Sequence, residues 1–295
     1  MHTHAPARRG QVALALAALY LIWGSTYLAI RFALEGGFPP FLLGGIRFLV
    51  AGGLLYAFLR LRGVAAPTRP QWRNAAVMGL LLLLLGNGLV NYGEQTVASG
   101  MTAVIVSSSA LWMGVFAAMR GHRPSPLEWF GLGLGFIGVL WLSAGGSLAA
   151  TPLGLAALLV ASVAWSFGSI WSKGRDLPMP FMTSAAQMLC GGVAMTLLGL
   201  ALGERFDGLP TGHAIGAFWY LVVAGSLAGF SAYIWLLHHV RPALATSYAY
   251  VNPAIAVVLG ALMAHERFGM RELVAMGVIL VGVLAITVAK SGATE

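Results

Sequence analysis

The sequence predicts an all-α polytopic membrane protein with ten transmembrane helices, arranged as two inverted five-helix repeats with both termini in the cytoplasm. Three observations support this: ten apolar stretches of about 20 residues, a composition that is 59% hydrophobic and 9% charged, and an internal similarity at an offset of about 140 residues. A run of about 20 apolar residues crosses a ~30 Å hydrocarbon core as a helix, whereas a typical soluble domain carries about 25% charged residues. We therefore expect the chain to lie in a lipid bilayer.

The apolar stretches follow one another with only short polar joints between them. They predict helices over residues 11–34, 39–60, 72–93, 97–119, 126–146, 152–172, 179–202, 214–237, 243–264 and 270–290. The first stretch follows a basic pair, but it is too long for a cleavable signal peptide and lacks a convincing cleavage site, so we interpret it as the first helix. Cys190 is the single cysteine of the chain, which excludes an internal disulfide.

Local sequence patterns recur between the two halves, which we place at residues 1–148 and 149–295. The segment "WGSTYLAIR" aligns with "WSFGSIWSK", so that Trp23 matches Trp165, and "PFLLGGIRFLVAGG" aligns with "PFMTSAAQMLCGG", so that Arg47 matches Gln187. A third match relates residues 107–129 to residues 250–273. Because five crossings is an odd number, the second half enters the bilayer from the opposite side, an arrangement found in alternating-access transporters with a substrate site near the midplane.

The net charge of +8 comes from basic residues whose positions predict the orientation in the membrane and do not indicate nucleic-acid binding. The basic residues are spread over the joints and form no patch, which argues against a nucleic-acid partner. With a cytoplasmic N-terminus, the inner side holds twelve basic residues and the outer side four, Arg31, Arg205, Arg267 and Arg271. This bias satisfies the positive-inside rule and predicts that both termini are cytoplasmic.

Several stretches together resemble a known family. They are "WGSTYLAIR", "PPFLLGGIRFLVAG", the segment 241–283 and the glycine-rich fifth helix, and the joint "HERFGMREL" is similar to the family turn E-x-[LF]-[TS]-x-x-[QE]. In these features the chain resembles the drug/metabolite transporter superfamily, specifically the EamA family of ten-helix permeases, and most closely the YddG-type exporters of aromatic amino acids. The first half departs from the pattern, with no acidic residue in the corresponding part of "HRPSPLEW" and Ala110 where proline is common.

A polar stripe marks the third predicted helix, where Asn87, Asn91 and Glu94 fall at i, i+4 and i+7 on one face. Unpaired polar groups are costly in hydrocarbon, so the stripe faces either neighbouring helices as interhelical glue or the substrate path. Arg47 lies deep in the second predicted helix. A charge at that depth is usually paired or functional, and three interpretations stay open: an ion pair with Glu94 or Glu35, a bond to a substrate carboxylate, or snorkelling to the interface.

Aromatic residues inside the apolar runs are the other candidates for the site, because tryptophan and tyrosine otherwise concentrate at the membrane interfaces. Packing explains each one singly, while together they suit a cavity that stacks rings; they are Trp23, Tyr92, Trp112, Trp165 and Tyr248. Asn252 shares a face with Tyr248, and Pro253 follows it, which predicts either a static kink or a hinge. The resemblance implies that neighbouring hairpins rock about the site, which favours the hinge.

Glycine spacing predicts one close helix contact. Gly131 and Gly135 form a G-x-x-x-G pattern in the fifth predicted helix. Small residues at that spacing let two membrane helices approach closely, so we expect this helix to pack tightly on a neighbour.

Enzymatic motifs are missing from the sequence. There is no H-E-x-x-H, P-loop or C-x-x-C pattern, and the two aspartates, Asp176 and Asp207, lie in joints, where they cannot form an intramembrane dyad. We expect no enzyme, no cofactor and no bound metal. The expected partners are the lipid bilayer and a small amino-acid-like substrate, with a monomeric state left open.

The resemblance and the candidate residues lead to one main hypothesis. It is a secondary transporter that exports small amphipathic metabolites, aromatic or large neutral amino acids, across a bacterial inner membrane. Its cavity would be lined by predicted helices 1, 3, 4, 6, 8 and 9. A multidrug exporter and a membrane scaffold without a transport cycle are the alternatives. Energy coupling stays open between proton antiport, exchange and facilitated transport, because Glu94 is the one carboxylate convincingly within a span.

Overall fold

The computed structural model describes residues 9–120, 125–143, 151–240, 248–266 and 269–292, and all regular structure in these ranges is helical. Seven of the described helical stretches are long and apolar enough to cross a membrane, and two shorter apolar helices lie at Val251–Met263 and Leu273–Gly282. The two termini, the last residues of the predicted helix 126–146 and the first of the predicted helix 243–264 lie outside the described residues. Large apolar side chains are exposed along the helices, as expected for surfaces that contact lipid.

The helices follow the order of the predicted spans. They are α1 Arg9–Glu35, α2 Pro40–Leu61, α3 Arg69–Met78, the π-helix π1 Gly79–Gly88, α4 Leu89–Gly93, α5 Ser99–Ser107, α6 Ser109–Met119, α7 Pro126–Ser143, α8 Pro152–Ser172, α9 Pro180–Ala201, α10 Gly212–Tyr220, the π-helix π2 Leu221–Phe230, α11 Ser231–His239, α12 Tyr248–Met263 and α13 Met270–Gly292.

Three predicted spans differ from the continuous α-helices that we expected. The third and the eighth each contain a ten-residue π-helix, π1 and π2, at matching positions. The fourth is interrupted at Ser108, between α5 and α6. A π-helix has wider i→i+5 turns, which shift the helical register and often occur at functional sites. Hydropathy records only that a run is apolar, so it did not reveal these changes.

Helix ends recur in the same form in both halves, as α2 and α9 illustrate. Each begins with proline in its first turn, Pro40 and Pro180, where the missing N–H has no helical partner to lose. Each is followed by a glycine with positive φ, Gly63 at 80° and Gly203 at 81°. Glycine adopts this left-handed conformation without the clash that a Cβ would cause, so both helices end sharply at equivalent places.

Packing takes place largely between the two halves of the chain. α1 packs against π2 and α12, α8 packs against π1 and α6, α2 against α9, and α7 against α13. Serines of α8 bind the interrupted fourth span: Ser166 Oγ donates to the carbonyl of Ser109 at 2.7 Å and Ser162 Oγ to that of Ile105 at 3.4 Å. Such hydroxyl bonds to carbonyls are a common means of joining helices in a membrane.

The predicted close contact of Gly131 and Gly135 is confirmed, with α13 as the neighbour. A Cβ added to Gly282 of α13 would lie 2.7 Å from the carbonyl oxygen of Gly131 and 2.7 Å from the backbone nitrogen of Gly135. Those atoms are backbone and cannot rotate away, so glycine alone permits this approach of α7 and α13.

Replacing Gly282 with valine is therefore expected to lower the unfolding temperature of the detergent-purified protein, because α7 and α13 must separate. Overpacking of this kind typically costs about 1–3 kcal/mol. The control is Gly277→Val on the same helix, since a Cβ at Gly277 meets nothing within 4 Å. Equal unfolding temperatures for the two variants would contradict the assignment of this contact.

Candidate functional site

A central cavity lies where the two halves of the chain meet. Its free volume is about 70 Å³, and its wall is formed by residues from α1, α2, π1, α4, α5, α6, α8, π2 and α12: Trp23, Thr26, Tyr27, Ile30, Arg47, Gly86, Asn87, Val90, Val106, Ser109, Ala161, Trp165, Phe230 and Tyr248. These helices correspond to the six expected spans together with the second, which contributes Arg47. By this measure a water needs about 10–15 Å³, so the cavity as it stands has room for a few waters or one small polar group.

Aromatic rings form most of one side of this cavity. The ring centroid of Trp23 lies 5.7 Å from that of Trp165, with an interplanar angle of 81°, and 5.0 Å from that of Tyr248, with an interplanar angle of 88°. Tyr233 joins the same cluster, 5.2 Å from Trp23 and 5.3 Å from Trp165. Edge-to-face pairs at these separations are favourable, and the cluster would have to part before an aromatic substrate could enter.

Trp23 and Trp165 each pack against a glycine in a π-helix of the other half of the chain. A Cβ on Gly229 of π2 would overlap Nε1 of Trp23, and a Cβ on Gly86 of π1 would lie 3.1 Å from Cε3 of Trp165. Trp23 and Trp165 are aligned partners in the sequence, and Gly86 and Gly229 are separated by nearly the same number of residues. The two contacts are therefore related in the same way as the sequence repeats.

The π-helix also supplies a hydrogen-bond acceptor to the cluster. Trp23 Nε1 donates to the carbonyl oxygen of Gly225 in π2 at 3.1 Å. A backbone carbonyl oxygen has two lone pairs, so it can accept this bond in addition to a helical one. The bond fixes the orientation of the indole at the cavity wall.

Arg47 is the charged residue in the wall, and its side chain is 2% exposed. Its Nε donates to Ser226 Oγ at 2.7 Å, and its guanidinium carbon lies 4.8 Å from the ring centroid of Phe48. In the described part of the chain, its Nη1 has no hydrogen-bond partner and the guanidinium has no ion pair. Of the three interpretations of Arg47, the ion pair with Glu94 or Glu35 is therefore wrong: Glu35 pairs with Arg31, and neither carboxylate oxygen of Glu94 has a partner among the described residues.

The structure brings five of the ten candidate binding residues to the cavity: Trp23, Arg47, Asn87, Trp165 and Tyr248. Asn87 Nδ2 donates to the carbonyl of Leu82 in its own helix at 3.2 Å, which leaves its amide oxygen for other partners. Tyr248 is 7% exposed and packs edge-on to Trp23.

The other five candidates lie away from the cavity wall. Asn91 is fully buried and donates to the carbonyl of Pro40 at 3.0 Å, and Tyr92 stacks on Phe41 with centroids 6.2 Å apart. Trp112 is partly buried in α6. The Asn252 amide nitrogen, oriented toward the nearby carbonyls, donates to those of Tyr248 and Tyr20 at 3.2 Å. Its neighbour Pro253 lies inside α12.

Glu94 follows α4 and is 5% exposed, and neither carboxylate oxygen has a hydrogen-bond partner among the described residues. It lies within electrostatic reach of Tyr27 in the cavity wall and of Arg31 and Glu266. The carboxyl therefore lies between the cavity and one end of the helix bundle.

That end of the bundle is closed by Glu266, which lies in the segment between α12 and α13. Its carboxylate accepts hydrogen bonds from the backbone N–H of Ser99 at 2.8 Å, from Ser99 Oγ at 2.7 Å and from the backbone N–H of Gly100 at 3.2 Å. Arg31 Nη1 donates to it at 2.6 Å. The carboxylate thus caps the N-terminus of α5, where the helix dipole favours an anion, and joins three separate spans. We call this the Glu266 closure.

The opposite end holds a wider opening. Its free volume is about 420 Å³, and its walls are Met78, Ser169, Ser172, Lys173, Gly174, Arg175, Leu177, Ile234 and Leu237. We call this opening the vestibule. α8 runs from one end of the bundle to the other: Thr151, before its first turn, forms a hydrogen bond with Thr96 near the Glu266 closure. Ser169 and Ser172, near its other end, line the vestibule. Ser169 Oγ and Tyr233 Oη are 3.0 Å apart, so a hydrogen bond joins the aromatic cluster to the vestibule wall.

Sequence reasoning overlooked several residues of this site. Thr26, Ser109 and Phe230 line the cavity, and Ser226 holds Arg47. Gly86 and Gly229 gave a usable signal, since glycines at repeat-related positions inside apolar helices indicate a close approach by another group. Glu266 was visible within "HERFGMREL", although its partners came from distant parts of the chain.

The fold and site define a multi-helix membrane protein with a buried cavity between two similarly built halves. The chain belongs to the EamA-like transporter family, whose pattern it matches over residues 10–144 and 152–288. The two matched segments together span most of the chain.

Named relatives are similar over nearly their whole length. The chain is 43% identical over 277 residues to YedA of Escherichia coli strain K12, an uncharacterized inner membrane transporter, covering 94% of this chain and 90% of that protein. It is 24% identical over 286 residues to the uncharacterized transporter YoaV of Bacillus subtilis, with 94% and 97% covered. It is also 24% identical over 264 residues to the protein PecM of Dickeya dadantii, with 88% and 86% covered.

A solved crystal structure shares the fold. The two chains superpose with a TM-score of 0.69 at 20% sequence identity, covering 96% of this chain and 99% of the other.

Proposed function

We propose that this protein is a secondary transporter of the bacterial inner membrane that exports small amphipathic metabolites, aromatic or large neutral amino acids, by alternating access. It would cross the membrane ten times as two inverted repeats, residues 1–148 and 149–295, with both termini cytoplasmic. The observation that carries the proposal is the buried aromatic cavity, closed at one end by Glu266 and facing a vestibule at the other.

The electrostatics of the two ends support this orientation. Lys173 and Arg175 line the vestibule, and the positive-inside rule assigns such residues to the cytoplasmic side. The Glu266 closure would then face outward, and this state would be closed to the outside. A transport cycle requires a second state in which the closure opens and the aromatic cluster separates.

The residues that contact substrate in this proposal are divided by chemistry. Trp23, Trp165 and Tyr248 would contact the apolar part, and Arg47 and Asn87 would bind the polar part. Asn91, Tyr92, Glu94, Trp112 and Asn252 are not in the cavity wall in this state and would reach the substrate only after a rearrangement. Pro253 is proposed as the hinge of α12.

The test is counterflow in proteoliposomes that contain the purified protein. We expect exchange of labelled phenylalanine, tyrosine, tryptophan or leucine, and little exchange of a cationic drug. Trp165→Ala should slow exchange at least about tenfold by removing a cavity wall, whereas Trp219→Ala, whose side chain is half exposed on α10, should leave it within twofold. Exchange of the drug in place of every amino acid would replace this proposal with a multidrug exporter.

A further inference from the structure

Arg47 combines three properties that are costly together unless a ligand relieves them. The guanidinium is almost fully buried, it carries a full charge in a membrane-embedded position, and its Nη1 has no partner among the described residues. Buried charges of this kind normally pair with an opposite charge, and leaving a donor unsatisfied adds a desolvation penalty. A buried cation without an anion among the described residues points to an anion that comes from outside.

The guanidinium is also held in a fixed position at the cavity. Ser226 Oγ accepts from Nε, and a Cβ added to Gly225 would lie 3.0 Å from Nη2 of Arg47 and 3.1 Å from Cγ2 of the cavity residue Thr26. Gly225 therefore leaves the room that the guanidinium occupies, and its carbonyl accepts the bond from Trp23. One short segment of π2 thus positions both the cation and the first ring of the aromatic cluster.

We infer that Arg47 is the carboxylate-binding residue of the transport site and that the substrates carry a carboxylate beside an apolar group. This inference rests on the proposed function and identifies which polar group of the substrate the site recognises. Arg47 lines the cavity of about 70 Å³, and binding of a whole substrate requires the aromatic cluster to open. Guanidinium binds carboxylate through two parallel N–H bonds, and Nη1, which has no partner among the described residues, supplies a donor for one of them once the cavity opens.

The choice of a carboxylate over an amine follows from charge. A protonated amine placed beside an unpaired guanidinium would be repelled in a medium of low dielectric constant. Cationic amphipathic drugs are therefore poor ligands of this cavity, although the aromatic rings alone would accept them.

The experiment compares three compounds that share one ring: phenylalanine, 3-phenylpropionate and phenethylamine. Counterflow is measured with the wild type and with Arg47→Gln, Arg47→Lys and the exposed control Arg205→Gln. We expect Arg47→Gln to raise the KM for the two carboxylates about 10- to 100-fold, the range expected for one charge-assisted bond. Phenethylamine exchange should stay unchanged or rise, Arg47→Lys should recover part of the carboxylate transport, and Arg205→Gln should match the wild type.

A second measurement separates failure of this inference from failure of the proposed function. Stabilisation of the purified protein by each compound is recorded as a shift in unfolding temperature. Carboxylates that stabilise the wild type but not Arg47→Gln support the inference even if no exchange occurs, in which case the transport proposal fails alone. Carboxylates that neither stabilise the wild type nor exchange would overturn it, as would equal loss of all three compounds in a correctly folded Arg47→Gln protein.

Discussion

Glu266→Gln is expected to open the closed end of the bundle. Four donors bind the Glu266 carboxylate: two backbone N–H groups, the Ser99 hydroxyl and Arg31. A glutamine amide has one acceptor oxygen and one donor group, so its NH₂ must face at least one of these donors. Breaking a fully buried pair typically costs about 3–5 kcal/mol. The Arg31 side chain is 27% exposed, so we expect a smaller cost that still shifts the equilibrium toward the open state.

The opening can be measured with a cysteine reporter in the cavity. Ile30 lines the cavity on the side of the closure and is 3% exposed, so Ile30→Cys in a Cys190→Ser background should react slowly with a thiol reagent. Adding Glu266→Gln should accelerate labelling at least about tenfold.

Glu35→Gln provides a matched control for this experiment. Glu35 pairs with the same arginine as Glu266, but it is 56% exposed, and a surface pair of this kind contributes about 0–1 kcal/mol. Its removal should leave the labelling rate near that of the parent. A cysteine at position 30 that stays unreactive in folded Glu266→Gln protein would show that Glu266 does not close this end.

Gly229→Val is expected to abolish most transport while leaving the membrane helices assembled. Its Cβ would overlap the indole nitrogen of Trp23. The indole would then have to leave its bond to the Gly225 carbonyl and its contacts with Trp165 and Tyr248. Because these rings form one wall of the cavity, we expect the counterflow rate to fall at least about tenfold.

The repeat supplies an internal comparison for this prediction. A Cβ at Gly86 would lie 3.1 Å from the edge of Trp165, a contact that a small movement of the ring relieves, so Gly86→Val should have a weaker effect. Gly216→Val in α10 is the control, since a Cβ there meets nothing within 4 Å. Adding Trp23→Phe to Gly229→Val should restore part of the activity, because the smaller ring frees the space. Equal activity of the Gly229 and Gly216 variants would contradict the role given to this contact.

The i, i+4 spacing of two asparagines did not predict correctly which side chains line the cavity. Asn87 and Asn91 are four residues apart and were predicted to share one face, yet Asn87 lies in the cavity wall and Asn91 bonds the carbonyl of Pro40. Asn87 belongs to π1, where the i→i+5 turns change the register on which an i, i+4 argument depends. π1 packs against α8 and α9, and the periodicity of a single helical sequence does not encode such contacts.

Composition and local patterns were sufficient to predict the membrane class, the approximate position of the apolar helices, the similarity of the two halves and the family. Each depends on composition or on residues that are neighbours along the chain, such as the apolar runs and the alignment of Trp23 with Trp165. Tertiary structure alone decided that Arg47 has no carboxylate partner among the described residues, that Trp23 and Trp165 pack on glycines of the opposite halves, and that Glu266 caps α5. These features join residues that are far apart along the chain, such as Arg47 and Ser226 at a separation of 179 positions. Helix periodicity fixes the face of a side chain but not the neighbour that it meets.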